Sequence, residues 1–144
     1  MNININKEAP VIASNEILIN STVDKVFSVL TGINNWHIWQ SSVTKSQING
    51  KIAEGSKFKW KAGGISYNSI IHTCKNDAFG WTGTTIGAYA VHNWYLIEND
   101  GKTLVKVEES LEGLVINIMK KAMQKKLPEM MKKNLIELKS ECEK

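Results

Sequence analysis

Apolar and polar residues alternate with a period of two through much of the chain, the signature of strands half-buried in a sheet. In VIASNEILIN, residues 11–20, Val11, Ala13, Ile17 and Ile19 share one side. SKFKWKA, residues 56–62, sets Phe58 and Trp60 against Lys57, Lys59 and Lys61, so one face meets a core and the other meets water. SVTKSQI runs into Asn49-Gly50, a turn pair. Gly63-Gly64 leads into ISYNSIIHTCK, and Asn76-Asp77 leads into AFGWTGT. VHNWYLIENDGKTLVKVEES, residues 91–110, reads as two strands joined at Asn99-Asp100-Gly101.

A helical period appears twice. Ser21 or Thr22 caps VDKVFSVLT, where Val23, Val26, Phe27 and Leu30 recur at helical spacing and Gly32 ends the run. NNWHIWQ then makes a short helical turn with Trp36 and Trp39 on one face, packed onto the sheet. The stretch from Val115 to the end is a long helix whose stripe is Ile116, Met119, Met123, Leu127, Met130, Leu135 and Leu138. Pro128 lies inside it and predicts a kink or a split, because it has no N–H for the carbonyl four residues back. The order is one strand, two short helices, six strands and one long helix. Strands in series with helices at the ends predict an α+β domain with an antiparallel sheet.

A length of 144 residues suits a single domain over 1–144, and no linker, repeat or low-complexity block divides it. Residues 1–10, MNININKEAP, read as a flexible lead-in without the apolar region of a signal peptide. No apolar run approaches the ~20 residues of a membrane span. Cys74 and Cys142 fit no metal spacing, and a reduced, cytoplasmic setting is expected. The net charge is +4 and every basic residue is lysine. Without arginine, bidentate phosphate recognition is disfavoured and no nucleic-acid partner is expected. From Lys120 to Lys144 eight lysines face four glutamates, which reads as a solvated helix face.

Four stretches carry a resemblance: INSTVDKVFSVLTGINNWHIW, ISYNSIIHTCKNDAFGWTG with its Trp81-x-Gly83 element, HNWYLIENDGKTLVKVEESLEG, and LIELKSECEK. In this order they resemble the START-like or Bet v 1-like superfamily, including its polyketide cyclase/dehydrase-type members, over about Val11 to Glu143. The resemblance implies a helix-grip fold: a curved seven-stranded antiparallel sheet wraps a long C-terminal helix, and two short helices follow the first strand. It also implies a cavity for a hydrophobic small molecule such as a lipid, polyketide or aromatic compound. It places Trp81 inward, and Phe79 and Gly83 go with it.

Only inward-facing residues can reach such a ligand, and alternation selects them. Phe58 and Trp60 come from one strand, and Tyr67, Ser69 and Ile71 from the next. Trp81, then His92, Trp94, Val107 and Glu109 follow, while the helix supplies Met119, Met123, Leu127 and Met130. Trp60, Trp81 and Trp94 offer flat surfaces for rings. If Glu98 pairs with Thr103, then Trp94 faces Val107 and His92 faces Glu109 at about 5 Å between Cβ atoms. That pair is either a self-satisfied polar spot, an anchor for a ligand hydroxyl or carbonyl, or a catalytic pair in which Glu109 orients His92 as general base. His37 and His72 are expected to point outward, as is Cys74. No metal site and no cofactor motif is present. Three functions remain open: a hydrophobic-ligand carrier, a cyclase/dehydrase-type enzyme, and a chaperone-activator-like interaction module. Monomer and homodimer are both compatible, since edge strands pair.

Overall fold

The computed structural model describes residues 2–144. β1 (Val11–Ile19) leads to α1 (Val23–Thr31), a 3-10 turn (Ile33–Asn35) and α2 (Trp36–Trp39). Six strands follow: β2 (Val43–Ile48), β3 (Lys57–Ala62), β4 (Ile65–Lys75), β5 (Ala78–Thr85), β6 (Ala88–Asn99) and β7 (Lys102–Glu112). α3 (Leu114–Ile118) and α4 (Lys120–Cys142) end the chain. The sheet is antiparallel throughout, in the order β1-β7-β6-β5-β4-β3-β2. The α+β helix-grip architecture expected above is the one observed.

Local chemistry explains the boundaries. The Thr22 hydroxyl accepts from the Lys25 N–H at 3.2 Å and caps α1. Asp100 and Gly101 both have positive φ, 55° and 81°, which suits the two-residue turn closed by Asn99 and Lys102. That turn sets the β6–β7 register, and Glu98 pairs with Thr103, Trp94 with Val107 and His92 with Glu109.

The C-terminal helix departs from expectation. It breaks at Met119, not at Pro128, and α4 runs unbroken through the proline. α3 is tied to the β5–β6 turn by the Val115 N–H, which donates to the Gly87 carbonyl at 3.0 Å. α4 is tied instead to the edge strand β1. The Ile12 N–H donates to Gln124 Oε1 at 3.1 Å, and Gln124 Nε2 donates to the Ile12 carbonyl at 2.8 Å. Lys139 Nζ donates to the Leu18 carbonyl at 2.9 Å. Side chains of the helix thus occupy backbone groups that an edge strand leaves unpaired. The buried stripe of α4 is Leu127, Met131, Leu135, Leu138 and Cys142. Met119, at the break between the two helices, and Met130 do not join the buried stripe and are 46 % and 43 % exposed; Met131 takes the buried position after Leu127.

The core has two parts. The larger joins α1, α2 and α4 to the inner face of the sheet through Leu30, Trp36, Phe79, Trp94 and Leu135. The smaller joins Val11, Leu111, Ile116 and Leu127, with Ala13, Ala90 and Met123 packed against it. Residues 2–6 of the lead-in lie across the outer face. The Ile3 N–H donates to His72 Nδ1 at 3.2 Å, Asn93 Nδ2 donates to the Ile3 carbonyl at 2.9 Å, and the Asn6 N–H donates to Ser110 Oγ at 3.1 Å.

Candidate functional site: the His92–Glu109 pair on the inner face

Register places one row of side chains straight across five strands: Ile71, Trp81, His92, Glu109 and Ala13. The neighbouring row reads Phe58, Ser69, Gly83, Ala90, Leu111 and Val11. Its middle is made of small residues, so little stands beside the His92 ring on that side. A Cβ at Gly83 would lie 3.2 Å from Ser69 Oγ, and Gly83 keeps that approach open.

His92 Nδ1 and Glu109 Oε1 are in hydrogen-bonding contact. The carboxylate accepts, so Nδ1 carries a proton, and in the neutral ring Nε2 presents a lone pair. His92 Nε2 is buried and has no hydrogen-bond partner, and the same holds for Trp94 Nε1. The Trp81 and His92 rings stack with centroids 4.5 Å apart and 5° between planes. Trp94 lies 5.3 Å from His92. The imidazole is thus held on one face by an indole and at one nitrogen by a carboxylate.

The pair sits between the two parts of the core. Deeper inner-face residues, among them Phe58, Ile71, Phe79, Trp81, Trp94 and Val107, are buried. His92 and Glu109 face inward yet keep 16 % and 13 % of their side-chain surface exposed. Trp60, Tyr67, Ala13 and Ala90 are also only half-buried. Water therefore reaches the inner face at this end. Tyr67 stacks on Trp60 at 4.7 Å. Burial, helped by the nearby Glu109 charge, pushes the Tyr67 phenol above its usual range, so it remains a donor.

Of the inward residues expected from alternation, Phe58, Trp60, Tyr67, Ser69, Ile71, Trp81, His92, Trp94, Val107 and Glu109 occupy that face, and Met123 and Leu127 pack beside it. Met119 and Met130 do not. Trp36 fills more of the interior than its short helix announced. It stands 5.5 Å from Phe58, 5.7 Å from Trp60 and 5.2 Å from Trp81, and its Nε1 donates to the Leu30 carbonyl at 2.9 Å. Phe58 and Trp81 are in consequence packed under Trp36. Ala13 lies in the row of the pair and Ala90 and Gly83 in the row beside it, and all three are small.

Cys74 turns inward, contrary to the alternation. A register shift between Ile71 and Thr73 reverses the phase of β4, and Cys74 pairs with the inward Phe79. His72 points outward as expected, but it is buried under residues 2–6 and hydrogen-bonds Asn93 through Nε2 at 2.8 Å. Among the described residues no three His, Cys, Asp or Glu side chains converge. Two hollows lie elsewhere: one of about 160 Å³ beside Thr22 and Gly101, and one of about 610 Å³ bordered by Lys57, Lys59, Asn68 and Thr84.

Several solved structures share this fold. A hypothetical protein, jhp0584, from Helicobacter pylori aligns with a TM-score of 0.83 at 15 % identity, over 99 % of this chain and 98 % of its own. The ZhuI aromatase/cyclase from Streptomyces sp. R1128 aligns at 0.78 and 11 % identity, over 92 % and 93 %. A START superfamily protein from Mycobacterium smegmatis aligns at 0.69 and 11 %, over 90 % and 97 %. Comparison with curated proteins gives no match. Residues 10–143 match the family described as polyketide cyclase / dehydrase and lipid transport. The chain belongs to that polyketide cyclase/dehydrase and lipid-transport family.

Proposed function

We propose that the protein binds a hydrophobic small molecule bearing a hydroxyl, between the sheet and α4, with His92 as its polar anchor. One observation carries this reading: His92 Nε2 is buried, aligned by Glu109 and without a partner. A buried acceptor left unpaired costs about 1–3 kcal/mol, which a ligand hydroxyl recovers. Trp81 and Trp94 hold the imidazole in place, and the residues bordering it on one side, Gly83 and Ala90, are small. Family membership supports a hydrophobic ligand in general terms.

The test is a matched pair of probes, 2-naphthol and naphthalene, titrated into the protein and followed by tryptophan fluorescence. The hydroxylated probe is expected to bind about tenfold more tightly, the value of one good hydrogen bond. His92→Phe keeps the stack on Trp81 and removes the acceptor, so it should erase that difference and spare naphthalene. Equal affinities in the wild type would refute the anchor.

The same geometry favours a second reading. A neutral imidazole with Nδ1 fixed by a carboxylate is a general base at Nε2. In a cyclase/dehydrase-type reaction it would take the proton from the carbon beside a carbonyl. It would then return that proton to the hydroxyl that leaves as water. Turnover of a β-hydroxy ketone that is lost in His92→Gln would establish it, and full activity in that variant would remove it.

A further inference from the structure

The end of the molecule that carries the β5–β6 turn is faced with apolar side chains that nothing in the fold covers. Ile86, at the tip of the turn, is 92 % exposed, and Leu114 and Ile118 of α3 are 72 % and 77 % exposed. These residues are neighbours. The Val115 N–H donates to the Gly87 carbonyl, and a Cβ at Gly87 would stand 2.3 Å from Val115 Cγ2, so α3 lies directly on the turn. Leu114 and Ile118 are four apart and share one face. Hairpin tips and short connecting helices are ordinarily polar, and a cluster of exposed large aliphatics marks an interaction surface.

The adjoining charge says what it meets. Between Glu112 and Glu129 the chain has no acidic residue, and Lys120, Lys121, Lys125 and Lys126 are all exposed at the start of α4. An apolar tip with a basic collar repels a second copy of itself and complements an anionic, partly apolar surface. We propose that this end docks on an anionic lipid surface, with Ile86, Leu114 and Ile118 at the headgroup boundary and the four lysines on the headgroups. The inference goes beyond ligand binding and stands without it. It also turns the half-open side of the sheet, where Ala90 and His92 lie, towards the lipid.

Vesicle co-sedimentation of the full chain tests it, using phosphatidylcholine alone and phosphatidylcholine mixed with phosphatidylglycerol. The protein is expected to sediment with the anionic vesicles and to remain in solution with the neutral ones. Replacing lysines with glutamine should weaken binding by about fivefold for each of Lys120, Lys121, Lys125 and Lys126. Leu114→Ser with Ile118→Ser should lower it by about tenfold or more while circular dichroism stays unchanged, since both residues are exposed. No sedimentation by the folded wild type would overturn the proposal. So would binding indifferent to the serine pair, which would reduce it to diffuse charge attraction. A wild-type dimer that the serine pair dissociates, with vesicle binding intact, would reassign the patch to self-association.

Discussion

At His92 two nitrogens of one ring have unlike surroundings: one is held by Glu109, and the other is buried without a partner. That asymmetry separates two substitutions of Glu109. Glu109→Gln retains an acceptor for Nδ1–H and should leave the thermal midpoint close to wild type. Glu109→Ala orphans the nitrogen and should cost about 1–3 kcal/mol in denaturant unfolding. The pairing was legible in the sequence as the consequence of one register, Glu98 with Thr103, and the Asp100-Gly101 turn adopts that register. The orphaned Nε2 was not, since it depends on what Trp94 and the helix place around the ring. A second residue-scale consequence concerns the thiols. Burial pushes Cys142 up to about 11, and it lies in the α4 stripe. In native protein at pH 8 it should resist a thiol-specific disulfide reagent, and reaction should appear only on unfolding.

Elements were readable where a periodic signal was strong and unreadable where one residue broke the phase. All seven strands were readable, some from alternation and others from the turn pairs that bound them. The inward turn of Cys74 did not, because the shift between Ile71 and Thr73 has no marker such as a glycine in that stretch. Met130 and Met131 are adjacent and equally apolar, and only the packing of α4 on β1 chooses between them. Trp36 was expected to pack onto the sheet, yet a four-residue helix carries no period that would place its ring over Trp81. The attachment of α4 to β1 rests heavily on Gln124, whose amide takes both backbone groups of Ile12. Gln124→Ala should lower stability by about 1 kcal/mol. It should also speed amide exchange at Ile12 relative to Ile17, which faces the core.

At the scale of the whole molecule, the two faces of the sheet serve different ends. The outer face is latched by residues 2–6 through His72, Asn93 and Ser110. Burial lowers the His72 imidazole below its ordinary value of 6.5, against a smaller opposing effect of its bond to Asn93. A base depressed in the folded state is bound more weakly by protons there than in the unfolded chain. The stability is therefore full above about 6.5 and declines as the pH falls below that value. The melting temperature should fall between pH 7 and pH 5, and by less in His72→Gln, which keeps an acceptor for the Ile3 N–H.

The inner face is an apolar core cut by one polar pair, open to water at the end where the small residues lie. Family membership suits a hydrophobic occupant, and under the proposed function the pair would give that occupant a polar contact. Native mass spectrometry of the freshly purified protein, alone and with added 2-naphthol, addresses this most directly. A one-to-one adduct is expected, either a co-purified apolar molecule with a hydroxyl or the naphthol itself, and His92→Phe should weaken it. An unliganded mass under both conditions, with the fold intact, would contradict a binding site on the inner face.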